Sequence, residues 1–514
     1  MPLAAITTLL TDPYVLAILL YLLALVGVGI YKTKSVKTSE DFMVAGRSLP
    51  WYILVGTLLA TWIGSGSLFS GAGLGYRNGL AGLWSSAGAW LGIVLVFFIA
   101  RRVRNFGKVT VPDIFEARYG TSAAVLATIT TVIAYMTIVS YQFKGGGRVL
   151  SIVTEGAISV EAGIVITAVF AVTYTVLAGM ISVVYTDVIN GILMTFGILI
   201  ALGYMLVQVG GMDVVIASAE AAGKWSLFAH WGAESDSGAS APIIAISFFV
   251  PTMLLLLGDA NMYQRIFSAR DGGSARKAIL FWVIGVIVLE SAISLLGLTG
   301  SVAAEQGLIP DLAGVGKAET EVVIPTLALS AVPVALGMLL VATMMAVIVS
   351  TADSFLLIPA TNLTRDVYQR FFDRSASERR VVFVSRLMVL VLGFAAFQLV
   401  DQFPTVLEAA YTAYLIYGAS ITPALLAAFL WKRATLTGAV ASILSGAGVT
   451  LLWKYGIDTQ GWHPLLQEVT FPAATLSVLA LVVGSLLTPA PGREVWGAFF
   501  DEQGEGDSAT GEAV

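Results

Sequence analysis

Apolar residues gather into long runs separated by short polar connections, and thirteen of these runs are long enough to cross a bilayer. They lie at about 13–31, 51–75, 79–100, 122–142, 158–178, 184–209, 241–262, 277–301, 323–360, 380–400, 404–430, 436–454 and 468–488. A hydrocarbon core some 30 Å thick asks for about 20 apolar residues per helix, so each run reads as one spanning helix. The pattern predicts an all-α polytopic membrane protein with about 13 transmembrane helices.

Two runs are interrupted. The second reads LLATWIGSGSLFSGAGLGY, with Gly64-Ser65-Gly66 at mid-membrane, and the seventh ends LLLLGDANMYQRIF, with Gly258 and Asp259 inside the apolar stretch. Each opens a five-helix half, 51–209 and 241–430. An outer connection at 210–240 sends the second half into the membrane from the opposite side, so the halves are expected to be inverted repeats. Broken helices at matching places in two such halves point to a binding site at the midplane, although glycine also serves plain close packing. Outside the repeats lie an extra helix and cytoplasmic loop at 1–50, two helices at 431–490 and an acidic cytoplasmic tail at 491–514.

Composition excludes several classes. With 57% hydrophobic and 12% charged residues the chain is not a soluble domain, and with no cysteine it has neither disulfides nor thiolate metal sites. Its two histidines, His230 and His463, fall in connections. No G-x-x-x-x-G-K-[ST] segment occurs and no nucleophile, base and acid set is recognisable, so neither ATP-driven transport nor an enzyme is expected. No nucleic-acid partner is expected either; the partners are lipid, an ion and a small solute.

Basic residues set the orientation. Of the 28 Lys and Arg, 22 fall on one side, leaving Arg77, Lys144, Arg148, Lys224, Lys317 and Lys454 on the other. The positive side is cytoplasmic, which places the N-terminus outside and the C-terminus inside a plasma (inner) membrane. No Lys or Arg precedes the first run and Lys32, Lys34 and Lys37 follow it, the charge order of a retained anchor. The outer connections 210–240 and 302–322, carrying Trp225 and Trp231, could form short surface helices or remain simple links.

The most informative chemistry is in the ninth run, AVIVSTADSFLLIPATNLTRDVY, where Ser350, Thr351, Asp353 and Ser354 interrupt apolar sequence. A carboxylate at the bilayer centre costs about 2.5–3.5 kcal/mol even on lenient scales, so such a cluster ordinarily faces an ion or a water path. Val347, Ser350 and Thr351 lie at i, i+3 and i+4, on one helix face, and an unwound Gly-Ser-Gly segment frees carbonyl oxygens for a hard cation. The competing use of the two hydroxyls is a bond to their own helix.

AGMISVVYTDVINGILM at 178–194, STADSFLL at 350–357 followed by NLTRDVY, and GDANMYQRIFSAR at 258–270 resemble signature segments of the sodium/solute symporter family. The resemblance covers roughly residues 10 to 490. It implies a leucine-transporter-type 5+5 inverted-repeat core, alternating access, sodium as coupling ion and import of a small organic solute. It further implies a main sodium site from the carbonyls of Ala60, Ile63 and Val347 with the hydroxyls of Ser350 and Thr351. Some relatives hold a further sodium at positions matching Asp187, Ser350, Asp353 and Ser354. Here Asp353 stands where those relatives have a hydroxyl, which leaves open a second sodium, a shared proton or neither. Asp187 could equally be a helix-start acid.

Pocket positions that sugar-carrying relatives fill with polar groups hold Ser67 and Ser86 here, and the eighth run lacks a lysine but carries Glu290 one turn from the matching position, so a sugar is disfavoured. Glu290 could attract an ammonium, carry a proton or pair with a hydroxyl for structure. Ser65 at the break, Asp259, Trp62, Trp84, Tyr414 and Tyr417 complete the candidate solute residues. Asp259 could instead orient Asn261 or Arg265. Two alternatives stay open beside sodium symport: proton coupling through Asp187, Asp353 and Glu290, and a solute sensor that transports nothing.

Overall fold

A computed structural model of the chain describes residues 11–33, 38–228 and 239–500. In chain order the helices are α1 (Pro13–Thr33), α2 (Ser39–Val44), α3 (Trp51–Trp62), α4 (Ala72–Asn78), α5 (Trp84–Asn105), α6 (Val111–Tyr119), α7 (Thr121–Val153), α8 (Val160–Leu177), α9 (Gly179–Gln208) and α10 (Met212–Ala221). The remainder are α11 (Ala241–Gly258), α12 (Ala260–Ser268), α13 (Gly272–Glu305), α14 (Lys317–Thr320), α15 (Val323–Ser330), α16 (Val334–Asn362), α17 (Glu378–Gln398), α18 (Val406–Leu430), α19 (Leu436–Tyr455), α20 (Pro464–Gln467), α21 (Thr470–Leu487) and α22 (Arg493–Phe500). Among the described residues no strand forms beyond an isolated bridge between Leu49 and Ala269.

Polar start signals act where the chain enters a helix. Asp12 accepts from the Tyr14 and Val15 amides ahead of α1, and Thr110 with Asp113 forms a reciprocal capping box on α6. The 158–178 and 184–209 runs meet at Gly179, whose φ of +67° lets the chain turn without a Cβ penalty while Phe42 packs over it.

Twelve described stretches are long and apolar enough to cross a membrane, and Trp51–Trp62 is a shorter apolar helix. One of the twelve, Gly66–Asn105, joins the second half of the interrupted pass that α3 begins to the next pass, α5, so the expected thirteen passes are all present. Phe98, Phe196, Phe394 and Leu487 stand exposed on the outside while Asp187, Arg265 and Asp353 are buried. That is the reverse of a soluble protein and the arrangement lipid requires.

Three expectations are corrected. The 323–360 run is not one helix: the chain breaks between α15 and α16, where Pro333 has no N–H to continue α15 and instead starts α16. Arg265, read as a cytoplasmic loop residue, is fully buried in α12. Lys144 and Arg148 lie within α7, which runs on to Val153. The connections 210–240 and 302–322 do form helices, α10 and the single turn α14. Lys34, Lys37, His230, Trp231 and the acidic tail from Asp501 lie outside the described residues.

Candidate functional site

The break between α3 and α4 is built around Gln142 of α7. Its Oε1 accepts from the Ser65 amide at 2.9 Å and from Ser65 Oγ at 2.7 Å, holding the chain out of helical register. At Ile63 the backbone is extended (φ −73°, ψ 95°), and π-helical turns resume at Gly66–Gly71 before α4. A helix that stops here leaves its last carbonyls without helical partners. Gly64 permits the close approach: a Cβ there would lie 2.9 Å from both Gln142 Nε2 and Thr351 Cγ2.

Those carbonyls meet hydroxyls of α16. Ser350 Oγ lies 3.0 Å from the Ala60 oxygen and 3.2 Å from that of Val347. Thr351 Oγ1 lies 3.4 Å from the oxygens of both Thr61 and Ile63. Each hydroxyl hydrogen-bonds to backbone carbonyls here, and uncharged oxygens of this kind are what a hard cation takes as ligands. Six uncharged oxygens, all fully or almost fully buried, meet pairwise here, and Ser350 and Ala60 have no solvent-exposed surface.

One turn further along α16 is a buried charge cluster. Asp187 of α9 accepts from Arg265 Nη2 at 3.1 Å, Thr57 Oγ1 at 2.6 Å and Thr61 Oγ1 at 3.5 Å. Arg265 also donates to Ser354 Oγ at 2.8 Å and to Thr57 Oγ1 at 2.9 Å. The guanidinium thus touches two of the four residues proposed for a further cation, Asp187 and Ser354, and Asp353 adjoins it through Ser354 at 3.4 Å. Asp187 Oδ1 and Asp353 Oδ2 find no hydrogen-bond partner among the described residues.

On the other side of the break lies a small cavity of about 30 Å³ bordered by Trp62, Ser67, Ser86, Glu290, Tyr411 and Tyr414, room for about two waters. α13 reaches it because Gly75 of α4 lets the backbone of Ser294 come into contact. Glu290 Oε1 accepts from Trp62 Nε1 at 2.9 Å and Ser67 Oγ at 3.1 Å, and Oε2 from Trp90 Nε1 at 2.8 Å. Trp62 and Tyr414 stack at 6.2 Å between ring centroids.

The other candidate solute residues lie elsewhere. Ser65 is committed to Gln142. Trp84 donates to the Leu227 carbonyl in the connection that follows α10. Tyr417 donates to the Gly258 carbonyl at the second break, and Asp259 caps α12 through the Asn261 and Met262 amides while accepting from Tyr135 at 2.5 Å. Sequence reasoning missed Gln142, Trp90, Tyr411, Thr57 and Thr61; only the lone arginine inside the apolar GDANMYQRIF stretch offered a signal for the fully buried Arg265. Beyond the spanning helices, Glu321 accepts from the Val406 and Leu407 amides at the start of α18 and from Arg148. Burial pushes the Glu321 carboxyl above its ordinary range, against the pull of those amides and Arg148.

The model described as Sodium:solute symporter family matches residues 42–446. An osmoregulated proline transporter of Bacillus subtilis is 26% identical over 500 residues, spanning 93% of this chain and 96% of that protein. The sodium/pantothenate symporter of Escherichia coli is 26% identical over 493 residues, 92% of this chain and 96% of that protein. Among solved structures, a substrate-bound outward-open state of a Na+-coupled sialic acid symporter superposes with a TM-score of 0.78 at 21% identity, covering 93% of this chain and 99% of the other. That likeness is one of fold, the leucine-transporter type with interrupted helices in two five-helix halves.

Proposed function

We propose how this chain, which belongs to the sodium:solute symporter family, couples its ion to its solute. It is a multi-pass membrane transporter, not an enzyme, and sodium is its coupling ion. In our reading one sodium binds the carbonyl oxygens of Ala60, Ile63 and Val347 and the hydroxyls of Ser350 and Thr351, with the Thr61 carbonyl in reach. The observation that carries this is the meeting of Ser350 Oγ with the Ala60 oxygen of α3 at 3.0 Å and of Thr351 Oγ1 with the oxygen of Ile63, just past its end, at 3.4 Å. Uncharged oxygens alone suit a monovalent ion that must also leave.

Sodium draws the end of α3 onto α16. Trp62, between two of the ligating residues, carries that movement to Glu290 and the solute cavity. The second cation position is filled by the chain itself: Arg265 takes the place of a further sodium against Asp187 and Ser354. One ion per cycle still suffices. A charge entering through ~100 mV releases about 2.3 kcal/mol and a tenfold gradient about 1.4, together sustaining roughly 500-fold accumulation of a neutral solute. The excess of Lys and Arg on alternate connections supports an outside N-terminus and a cytoplasmic C-terminus in a plasma or inner membrane.

The test needs no known solute. Purified protein should gain thermal stability as NaCl replaces KCl at constant ionic strength, because an ion bound only by the folded state stabilises it. The gain should vanish in Ser350→Ala/Thr351→Ala. Equal stabilisation by both salts, or an undiminished gain in the double variant, would contradict the assignment.

A further inference from the structure

Glu290 is a carboxylate with no cation. It sits in the middle of α13, 4% exposed, and no Lys, Arg or His forms an ion pair with it among the described residues. Its hydrogen-bond partners all come from other elements and all are neutral: Trp62 at the end of α3, Ser67 past the break and Trp90 on α5. An indole N–H can only donate, so both carboxylate oxygens are engaged as acceptors. Both oxygens are thus held in place by neutral donors, and no positive group of the chain meets them. A negative charge so placed is costly in a membrane unless something positive arrives to meet it.

The walls say what arrives. The carboxylate borders the same cavity as Trp62, Tyr411 and Tyr414, with Trp62 and Tyr414 stacked and Tyr411 and Tyr414 5.6 Å apart between centroids. Aromatic faces beside a carboxylate attract a compact organic cation by charge and by the ring quadrupole, and repel an anion. We propose that the transported solute carries a positively charged nitrogen, an ammonium or alkylammonium, that seats against Glu290 and the rings of Trp62 and Tyr414 when the cavity, which now has room for about two waters, widens to admit it. This rests on the sodium-symport reading and names its solute class. Proline carries such a nitrogen and pantothenate does not, so kinship with their carriers leaves the choice to the pocket. Because Trp62 lies between the sodium-ligating Ala60 and Ile63, the solute's charge and the ion act on one short segment of α3.

The experiment compares matched probes that differ only in the charged nitrogen. Purified protein in 150 mM NaCl (an assay condition of about physiological strength) is titrated with choline against its carbon isostere 3,3-dimethylbutan-1-ol, and with L-proline against tetrahydrofuran-2-carboxylate, following thermal stabilisation. At least one charged member should stabilise, its isostere should not, and Glu290→Gln should weaken the charged probe at least about tenfold, with Glu290→Asp recovering part of the loss. The stabilisation by sodium alone should persist in Glu290→Gln, which shows that the variant is folded and its ion site intact. Stabilisation by the isosteres that lack the charged nitrogen, binding of the nitrogen-bearing probe undiminished in Glu290→Gln, or no response to either nitrogen-bearing probe would overturn the proposal. Loss of the sodium response in the unmodified protein would instead strike the symport reading.

Discussion

The indole Nε1 of Trp62 donates to Glu290 Oε1 at 2.9 Å from the last residue of α3, immediately before Ile63, whose carbonyl lies 3.4 Å from Thr351 Oγ1. In the proposed account the ion ligands and the solute anchor are therefore neighbouring residues of one short segment. A displacement at either is felt at the other with no relay between them.

Trp62→Phe tests that link. It keeps an aromatic face toward Tyr414 and removes the indole donor. A hydrogen bond to a charged group contributes about 1.5–3 kcal/mol, so solute affinity should fall on the order of ten- to a hundredfold. Solute titrations in sodium measure it, and unchanged affinity would show that the bond carries nothing.

Gly64→Ala puts a methyl group 2.9 Å from Gln142 Nε2 and from Thr351 Cγ2. Either the Ser65 clamp or the Thr351 hydroxyl must shift, at a cost of about 1–3 kcal/mol. Apparent sodium affinity should weaken at least about fivefold in a sodium titration of thermal stability. An unaltered titration would mean that the break tolerates side chains.

Arg265→Met leaves Asp187 buried without its cation. Removing one partner of a buried pair costs about 3–5 kcal/mol, so the variant should unfold at distinctly lower temperature. Adding Asp187→Asn should recover much of the loss. If Arg265 stands in for a sodium, the single variant should also gain stability from sodium through a second, independent saturation. A single saturation identical to that of the unmodified protein would remove the substitution argument.

Glu321 carries a pH signature. Burial raises its carboxyl in the folded chain, so folding favours the protonated form; that contribution is full below the unfolded value and drains away as pH rises through the folded one. Acidifying from neutrality toward pH 5 (an assay range near the ordinary glutamate value) should therefore benefit the unmodified protein more than Glu321→Gln, which cannot titrate. Parallel pH profiles would contradict this.

The membrane passes and the α16 face of the oxygen set were legible in the sequence because both are local, whereas the Ala60 and Ile63 carbonyls came only with the family resemblance. Apolar run length sets the passes, and the i, i+3, i+4 spacing of Val347, Ser350 and Thr351 sets one helix face. The rest depends on partners remote in sequence. Arg265 looked like a loop cation because charge beside an apolar run usually ends it, and only its pairing with Asp187, 78 residues away, keeps it inside. Glu290 announced itself as an intramembrane acid, but nothing local foretold that Trp62, Trp90 and Ser67 would converge on it from separate elements. The split between α15 and α16 was hidden because the residues around Pro333 stay apolar.

Equilibrium binding of radioactive sodium to the purified protein tests the central claim most directly. The account predicts one saturable sodium per chain, competed by unlabelled sodium and not by potassium, lost in Ser350→Ala/Thr351→Ala and kept in Glu290→Gln. Saturable binding that survives the double hydroxyl variant would contradict it.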